Sequence, residues 1–311
     1  MLKESLFYAK ILLFGEYGII QNSMGLSIPY ADFKGSFKFD RDLKDENSKL
    51  SNTELNKFCT YLNDPTNDLS ARFNLKKLNT DIENGLYFDS SIPQGFGVGS
   101  SGALCAAIYD NYAVHKLSTK IDSSEDLLML KSLLGKMESY FHGKSSGLDP
   151  LICYLNLPVL IKKDNEMGAV GLPMGNMEGK GAIFLLNSGT PGKTSSMVNI
   201  FMEKLKSQGF RTVMKKQFVK YNDACINAFL KGEVKSLFTN VKELSSILLE
   251  NFSQMIPSNF HELWKEGIDS NSYYLKLCGS GGGGYILGFA PDIEEAKSRL
   301  KDHKLEIIHK F

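Results

Sequence analysis

The chain has 311 residues, 36 of them Lys or Arg and 35 Asp or Glu, for a formal net charge of +1. That length supports two domains with separate cores, and the even charge, with no basic tract, argues against nucleic acid or an anionic membrane surface as partner. Hydrophobic residues make up 42 %, an ordinary share for a globular chain, and no apolar run reaches the length of a membrane span.

Residues 6–14 are apolar apart from Lys10 and predict a buried strand; 25–31 and 33–39 predict two more. Residues 40–70 are rich in Asp, Asn, Ser and Lys, which predicts exposed helix and loop. A strand over 85–92 leads into Pro93-Gln-Gly-Phe-Gly-Val-Gly-Ser-Ser-Gly-Ala103, and helices follow over 102–116 and 124–142. Asp122, Ser123, Glu125 and Asp126 supply cap signals for the second helix. The Gly-, Pro- and Met-rich stretch 168–181 predicts a boundary near 176, giving domains 1–176 and 177–311. Beyond it come a strand at 181–187 and helices over 194–208, 212–231, 233–250 and 258–268. Strands at 272–278 and 284–289 flank the run Gly279-Ser-Gly-Gly-Gly-Gly284, and a helix at 292–302 and a strand at 304–310 follow. The class is α+β in two layers, not a regular βαβ alternation. Residues 1–5 lack the pattern of a secretion signal. The five cysteines, at 59, 105, 153, 225 and 278, show no Cys-x-x-Cys spacing; together these point to reduced, buried thiols in a cytoplasm.

The segment 93–103 carries the most chemistry. Three glycines at spacing two end in Ser100-Ser101 and feed a run of small apolar residues. Such a loop at a helix N-terminus presents unpaired N–H groups and the positive end of the helix dipole, so it attracts phosphate. On helix 124–142, Leu127, Leu130, Leu134, Met137 and Phe141 form an apolar stripe, and Glu138 points the same way as Leu127. A carboxylate there is either an edge residue that reaches water, a metal ligand or the partner of a lysine. The turn His142-Gly-Lys-Ser-Ser-Gly-Leu-Asp149-Pro150 presents Asp149 as a functional acid or as a simple turn residue, and His142 as a cation at the helix C-terminus. Lys10, inside an apolar strand, either snorkels to water or holds a phosphate or a reacting hydroxyl. Six small residues at 279–284 exceed what a turn needs and point to close backbone approach, to a ligand or to the first glycine loop. Gly192-Lys193-Thr194 is not a P-loop, because Asn187 stands where that motif needs glycine.

Three segments in order, Ala9-Lys-Ile-Leu-Leu-Phe-Gly-Glu-Tyr17, Pro93–Ala103 and Lys276–Gly284, resemble the motifs of the GHMP small-molecule kinases across most of the chain. Glu138 to Asp149 and Asn187 to Thr194 are most similar to the mevalonate kinase branch. Tyr8-Ala9 stand where the family has Pro-Gly, Tyr17 where mevalonate kinases commonly have His, and Phe96 and Gly102 where the family usually has Ala. The resemblance implies a ribosomal-S5-like N-terminal domain and a ferredoxin-like C-terminal domain. It implies an ATP site on Pro93, Gly95, Gly97, Gly99, Ser100, Ser101 and Gly102, and Mg²⁺ on Ser101 and Glu138. Asp149 and Lys10 become the catalytic pair, and Glu16, Tyr17, Thr194, Gly281 and Gly282 the acceptor side. The implied reaction is phosphorylation of the primary hydroxyl of mevalonate; phosphomevalonate or a sugar as acceptor, and a non-catalytic ATP sensor, are the alternatives. A homodimer is implied by the resemblance alone.

Overall fold

The computed structural model describes residues 5–117, 123–176 and 178–311. Contacts divide the chain into two compact units, each assembled from three segments. Unit 1 takes residues up to Lys10, Pro29–Pro93 and Gly99–Leu157; unit 2 takes Ile11–Ile28, Gln94–Val98 and Pro158–Phe311. Asp122, expected as a cap, lies outside the described residues.

The elements in chain order begin with β1 (Phe7–Phe14), β2 (Gly25–Phe39), α1 (Glu46–Leu62), α2 (Leu75–Glu83) and β3 (Leu86–Ser90). Next come α3 (Ser100–Tyr112), α4 (Ser124–His142), α5 (Leu148–Leu155), β4 (Val159–Ile161), β5 (Met167–Ala169) and β6 (Ala182–Asn187). The remainder are α6 (Thr194–Lys204), α7 (Gln208–Val213), α8 (Val219–Lys231), α9 (Val234–Asn251), α10 (His261–Ser270), β7 (Tyr274–Leu277), β8 (Tyr285–Ala290), α11 (Ile293–Arg299) and β9 (Leu305–Lys310). No described helix is long and apolar enough to cross a membrane.

In unit 1 the second half of β2 pairs antiparallel with β3, Gly35 opposite Ser90 and Phe39 opposite Leu86. The strands expected at 25–31 and 33–39 are therefore one. Helix α1 is less exposed than its polar composition suggests, because Leu55, Phe58, Cys59 and Leu62 recur at helical spacing and are buried. Helix α3 is buried nearly all round, through Gly102, Ala103, Ala106, Ala107 and Ile108. Its small residues let α5 lie close against it: a Cβ on Gly102 would sit 2.8 Å from the Asp149 carbonyl carbon. Ser123 caps α4 by accepting from the Asp126 amide.

In unit 2 the first residues of β2 pair with β4, and β4 with β5, all antiparallel. The other sheet runs β7-β8-β6-β9. With α6–α10 inserted after β6 and α11 before β9, this is the β-α-β-β-α-β order of a ferredoxin-like layer. Residues 212–231 do not form one regular helix: a π turn, Met214–Phe218, lies between α7 and α8 and buries Phe218. All five cysteines are free and buried.

Candidate active site

Within unit 1 the folding of β1, α3, α4 and α5 gathers the chemistry. Lys10 is 2 % exposed, and its Nζ lies 2.8 Å from Asp149 Oδ1. The expected turn at Asp149 is instead the first turn of α5, where a carboxylate meets the positive end of the helix dipole. Gly99 precedes α3 with φ of 85°, a left-handed conformation that glycine accepts without strain. A Cβ there would press on the Lys10 stem at 2.9 Å, so Gly99 sets both the start of α3 and the room for the ammonium. Ala103 is the first α3 residue after Ser100–Gly102 whose amide bonds back, to the Gly99 carbonyl; the first-turn N–H groups before it have no intrahelical partner.

Glu138 is 3 % exposed, which removes the edge reading left by its position on an apolar stripe: it does not reach water. Ser101 Oγ donates to Glu138 Oε1 at 2.9 Å, and Ser145 Oγ donates to Oε2. Burial, and then the nearby Asp149 charge, push the Glu138 carboxyl up to about 7, against the opposing pull of the two hydroxyls and Lys10. His142 does not serve as a solvent-facing helix cation. Its Nε2 lies 3.0 Å from Ser101 Oγ, and burial holds its pKa below the usual imidazole range, with Asp149 acting in the opposite sense. The oxygen donors of Ser101 and Glu138 suit Mg²⁺, a hard cation that takes few protein ligands and completes its shell with water and phosphate. No cluster of three or more His, Cys, Asp or Glu suited to a metal occurs among the described residues. A cation here would therefore depend on oxygens brought by a bound ligand.

Unit 2 holds Gly95, Gly97 and the residues expected on the acceptor side. In the segment 94–98 the Gly95 carbonyl accepts from the Gly192 amide at 2.8 Å, and the Phe96 carbonyl from Tyr285 at 3.2 Å. Gly97, at φ 78°, approaches so closely that a Cβ would sit 2.5 Å from the Cys278 carbonyl oxygen. Gly279 and Gly284 thus answer to the first glycine loop, a Cβ on Gly284 meeting the Phe96 Cα at 2.6 Å, while Gly283 lies against Thr190–Gly192. Glu16 is buried against Lys276, at 2.5 Å. Tyr17 donates to the Ser280 carbonyl at 2.7 Å, and Ser280 Oγ reaches Thr194 Oγ1 at 3.4 Å. Burial, with the adjacent Glu16 charge, pushes the Tyr17 phenol up. Gly281 and Gly282 pack on Met255 and Met197.

Lys10, Ser101, Glu138 and Asp149 thus form one cluster, and Glu16, Tyr17 and Thr194 share a neighbourhood with Ser280. Pro93 and Ser100 are half-buried at the two ends of the glycine loop. Sequence reasoning gave no role to Ser145, Lys276 or Ser280, and missed the contact of His142 with Ser101. Ser145 lies beyond the end of α4, in the turn that follows, so helical spacing from Glu138 gave no signal for it.

Residues 66–156 match the sequence model of the GHMP kinases N terminal domain. The chain carries that domain. It also shares the GHMP kinase fold over its length. L. major mevalonate kinase, solved in complex with R-mevalonate, superposes with a TM-score of 0.66 at 14 % identity, covering 100 % of this chain and 97 % of that one. Streptococcus pneumoniae phosphomevalonate kinase, in complex with phosphomevalonate and AMPPNP, gives 0.64 at 14 % identity, covering 98 % and 100 %. Lactococcus lactis galactokinase, complexed with galactose, gives 0.62 at 10 % identity, covering 98 % and 92 %. No curated protein matches the chain by sequence. At these identities the likeness speaks for the GHMP fold and leaves the acceptor open.

Proposed function

We propose that the chain is an ATP-dependent small-molecule kinase that phosphorylates the primary hydroxyl of mevalonate. The observation that carries the kinase reading is the Lys10–Asp149 pair at 2.8 Å, beside a helix start whose first amides are free for an anion. Phosphoryl transfer asks a protein for alignment and charge neutralisation more than for covalent chemistry. The α3 amides at Ser100–Gly102 and the loop before them hold the nucleotide phosphates. Asp149 takes the proton of the acceptor hydroxyl while that oxygen bonds to the γ-phosphorus and the bond to the β-phosphate oxygen breaks, leaving ADP. Lys10 orients the Asp149 carboxylate and stabilises charge on the entering oxygen. Ser101 and Glu138 would hold Mg²⁺, which would neutralise phosphate charge. Glu16, Tyr17, Thr194, Gly281 and Gly282 make up the proposed acceptor side, and Ser280 joins Tyr17 to Thr194.

Mevalonate as acceptor draws support from the frame of Glu138–Asp149 and from the fold shared with a mevalonate-bound enzyme. Tyr17, found at the position where mevalonate kinases commonly carry His, favours a second reading with phosphomevalonate as acceptor. ADP release measured with mevalonate, phosphomevalonate and galactose separates the readings. Turnover with mevalonate alone is expected. Turnover with another acceptor moves the assignment, and nucleotide binding without turnover on any alcohol replaces the enzyme by a sensor.

A further inference from the structure

Glu16 and Lys276 stand 260 residues apart in sequence, yet their side chains meet at 2.5 Å with 5 % and 2 % exposure. The same ammonium donates to the Leu277 carbonyl at 2.9 Å and sits 5.7 Å from the centre of the Phe14 ring. A buried ion pair is weak evidence for stability, because desolvation offsets most of its attraction, and fixing one arrangement of the chain is its best-attested use. Each partner here is next to a segment whose conformation needs holding. Tyr17, directly after Glu16, has φ of 58°, uncommon for a bulky residue. The glycine run begins three residues after Lys276 and has little side-chain packing of its own. The two segments meet where Tyr17 donates to the Ser280 carbonyl at 2.7 Å, with its ring stacked on Phe201 at 4.5 Å.

We infer that the Glu16–Lys276 pair is a positioning device: it locks the Tyr17 turn to the exit of β7, so that Tyr17 and Ser280 face the acceptor alcohol in one fixed arrangement. Its effect on the acceptor rests on the kinase reading; its effect on the backbone does not. In the unmodified protein, the amides of Gly18 and Ile19 on one side and of Gly282 on the other then open together in hydrogen exchange. Equal opening free energies across a denaturant series are expected, and separate openings overturn the inference. The double variant Glu16→Leu/Lys276→Met removes both charges without stranding either. It is expected to keep its unfolding midpoint within a few degrees, since such replacements are often neutral. Exchange at those amides should rise about tenfold, and KM for the acceptor about tenfold, with KM for ATP held within about twofold. A folded double variant with native exchange and native acceptor KM overturns the inference. If the protein turns over no alcohol, the kinase reading fails while the exchange measurement on the unmodified chain still decides this one.

Discussion

At the residue scale the chemistry depends on Lys10, Ser101, Glu138 and Asp149, and two of these run against the usual preference of a charged group for water. Lys10 and Glu138 are almost fully buried, and neither is left without a counter-group: Lys10 has Asp149, and Glu138 has the hydroxyls of Ser101 and Ser145. Such arrangements cost stability and persist where function holds them. Asp149→Asn keeps the shape and removes the proton acceptor. Lys10→Met keeps the stem and removes the charge. Each is expected to lower kcat by at least about a hundredfold, the scale of a general acid–base contribution, with circular dichroism unchanged. Near-normal turnover in a folded Asp149→Asn protein would remove the catalytic assignment. Lys10 and Glu138 were visible in the sequence because each is a charge breaking an apolar pattern. The partners of Glu16 and His142 were not, because contacts between residues 260 and 41 positions apart follow from tertiary packing and not from spacing.

Among the elements, long and strongly periodic ones were legible. Helix α4 spans Ser124–His142, the limits its apolar stripe predicts, and β6 to β9 lie within a residue or two of the apolar runs. Helix α5 was hidden for a physical reason. Its eight residues, Leu-Asp-Pro-Leu-Ile-Cys-Tyr-Leu, are apolar nearly all round and show no period, and Asp-Pro reads as a turn. Proline in a first helical turn loses no intrahelical hydrogen bond, so the same dipeptide opens a helix equally well. Strands β4 and β5, three residues each, are too short to leave a pattern. The packing of α5 on α3 yields a test. A Cβ at Gly102 would meet the Asp149 carbonyl carbon at 2.8 Å and the Pro150 nitrogen at 2.9 Å, both backbone atoms. Gly102→Ala must therefore part the two helices and move Asp149 against Lys10. A displacement well under 1 Å at a reacting group is expected to lower kcat by about tenfold. Unaltered kcat in steady-state assays would show that the two helices have slack.

For the molecule as a whole, the buried acid at 138 ties global stability to pH and to ligand. Its folded-state value of about 7 lies above the ordinary 4.5, so between those limits the folded protein holds this proton more tightly than the unfolded chain does. The contribution is fully present below about pH 4.5 and is lost as pH rises through 7, an amount on the order of 3 kcal/mol. His142 works in the opposite direction: its lowered pKa favours the folded state as pH rises past the ordinary imidazole range. The wild-type slope therefore mixes the two. The comparison that isolates Glu138 is with Glu138→Gln, which has no charge to lose and retains a carbonyl to accept from Ser101 or Ser145. Without ligand, Glu138→Gln is expected to unfold at nearly the wild-type denaturant midpoint at pH 5 and at a higher one at pH 8. Saturating Mg²⁺ and ADP should stabilise the wild type at pH 8 through linkage, about 2.7 kcal/mol at a hundred times Kd. It should stabilise Glu138→Gln less, because a cation held by that carboxylate gains from its charge. Equal ligand-induced shifts in the two proteins would mean that Glu138 does not hold the cation, and an unchanged apo difference between pH 5 and pH 8 would mean that its proton is not held as tightly as its burial requires.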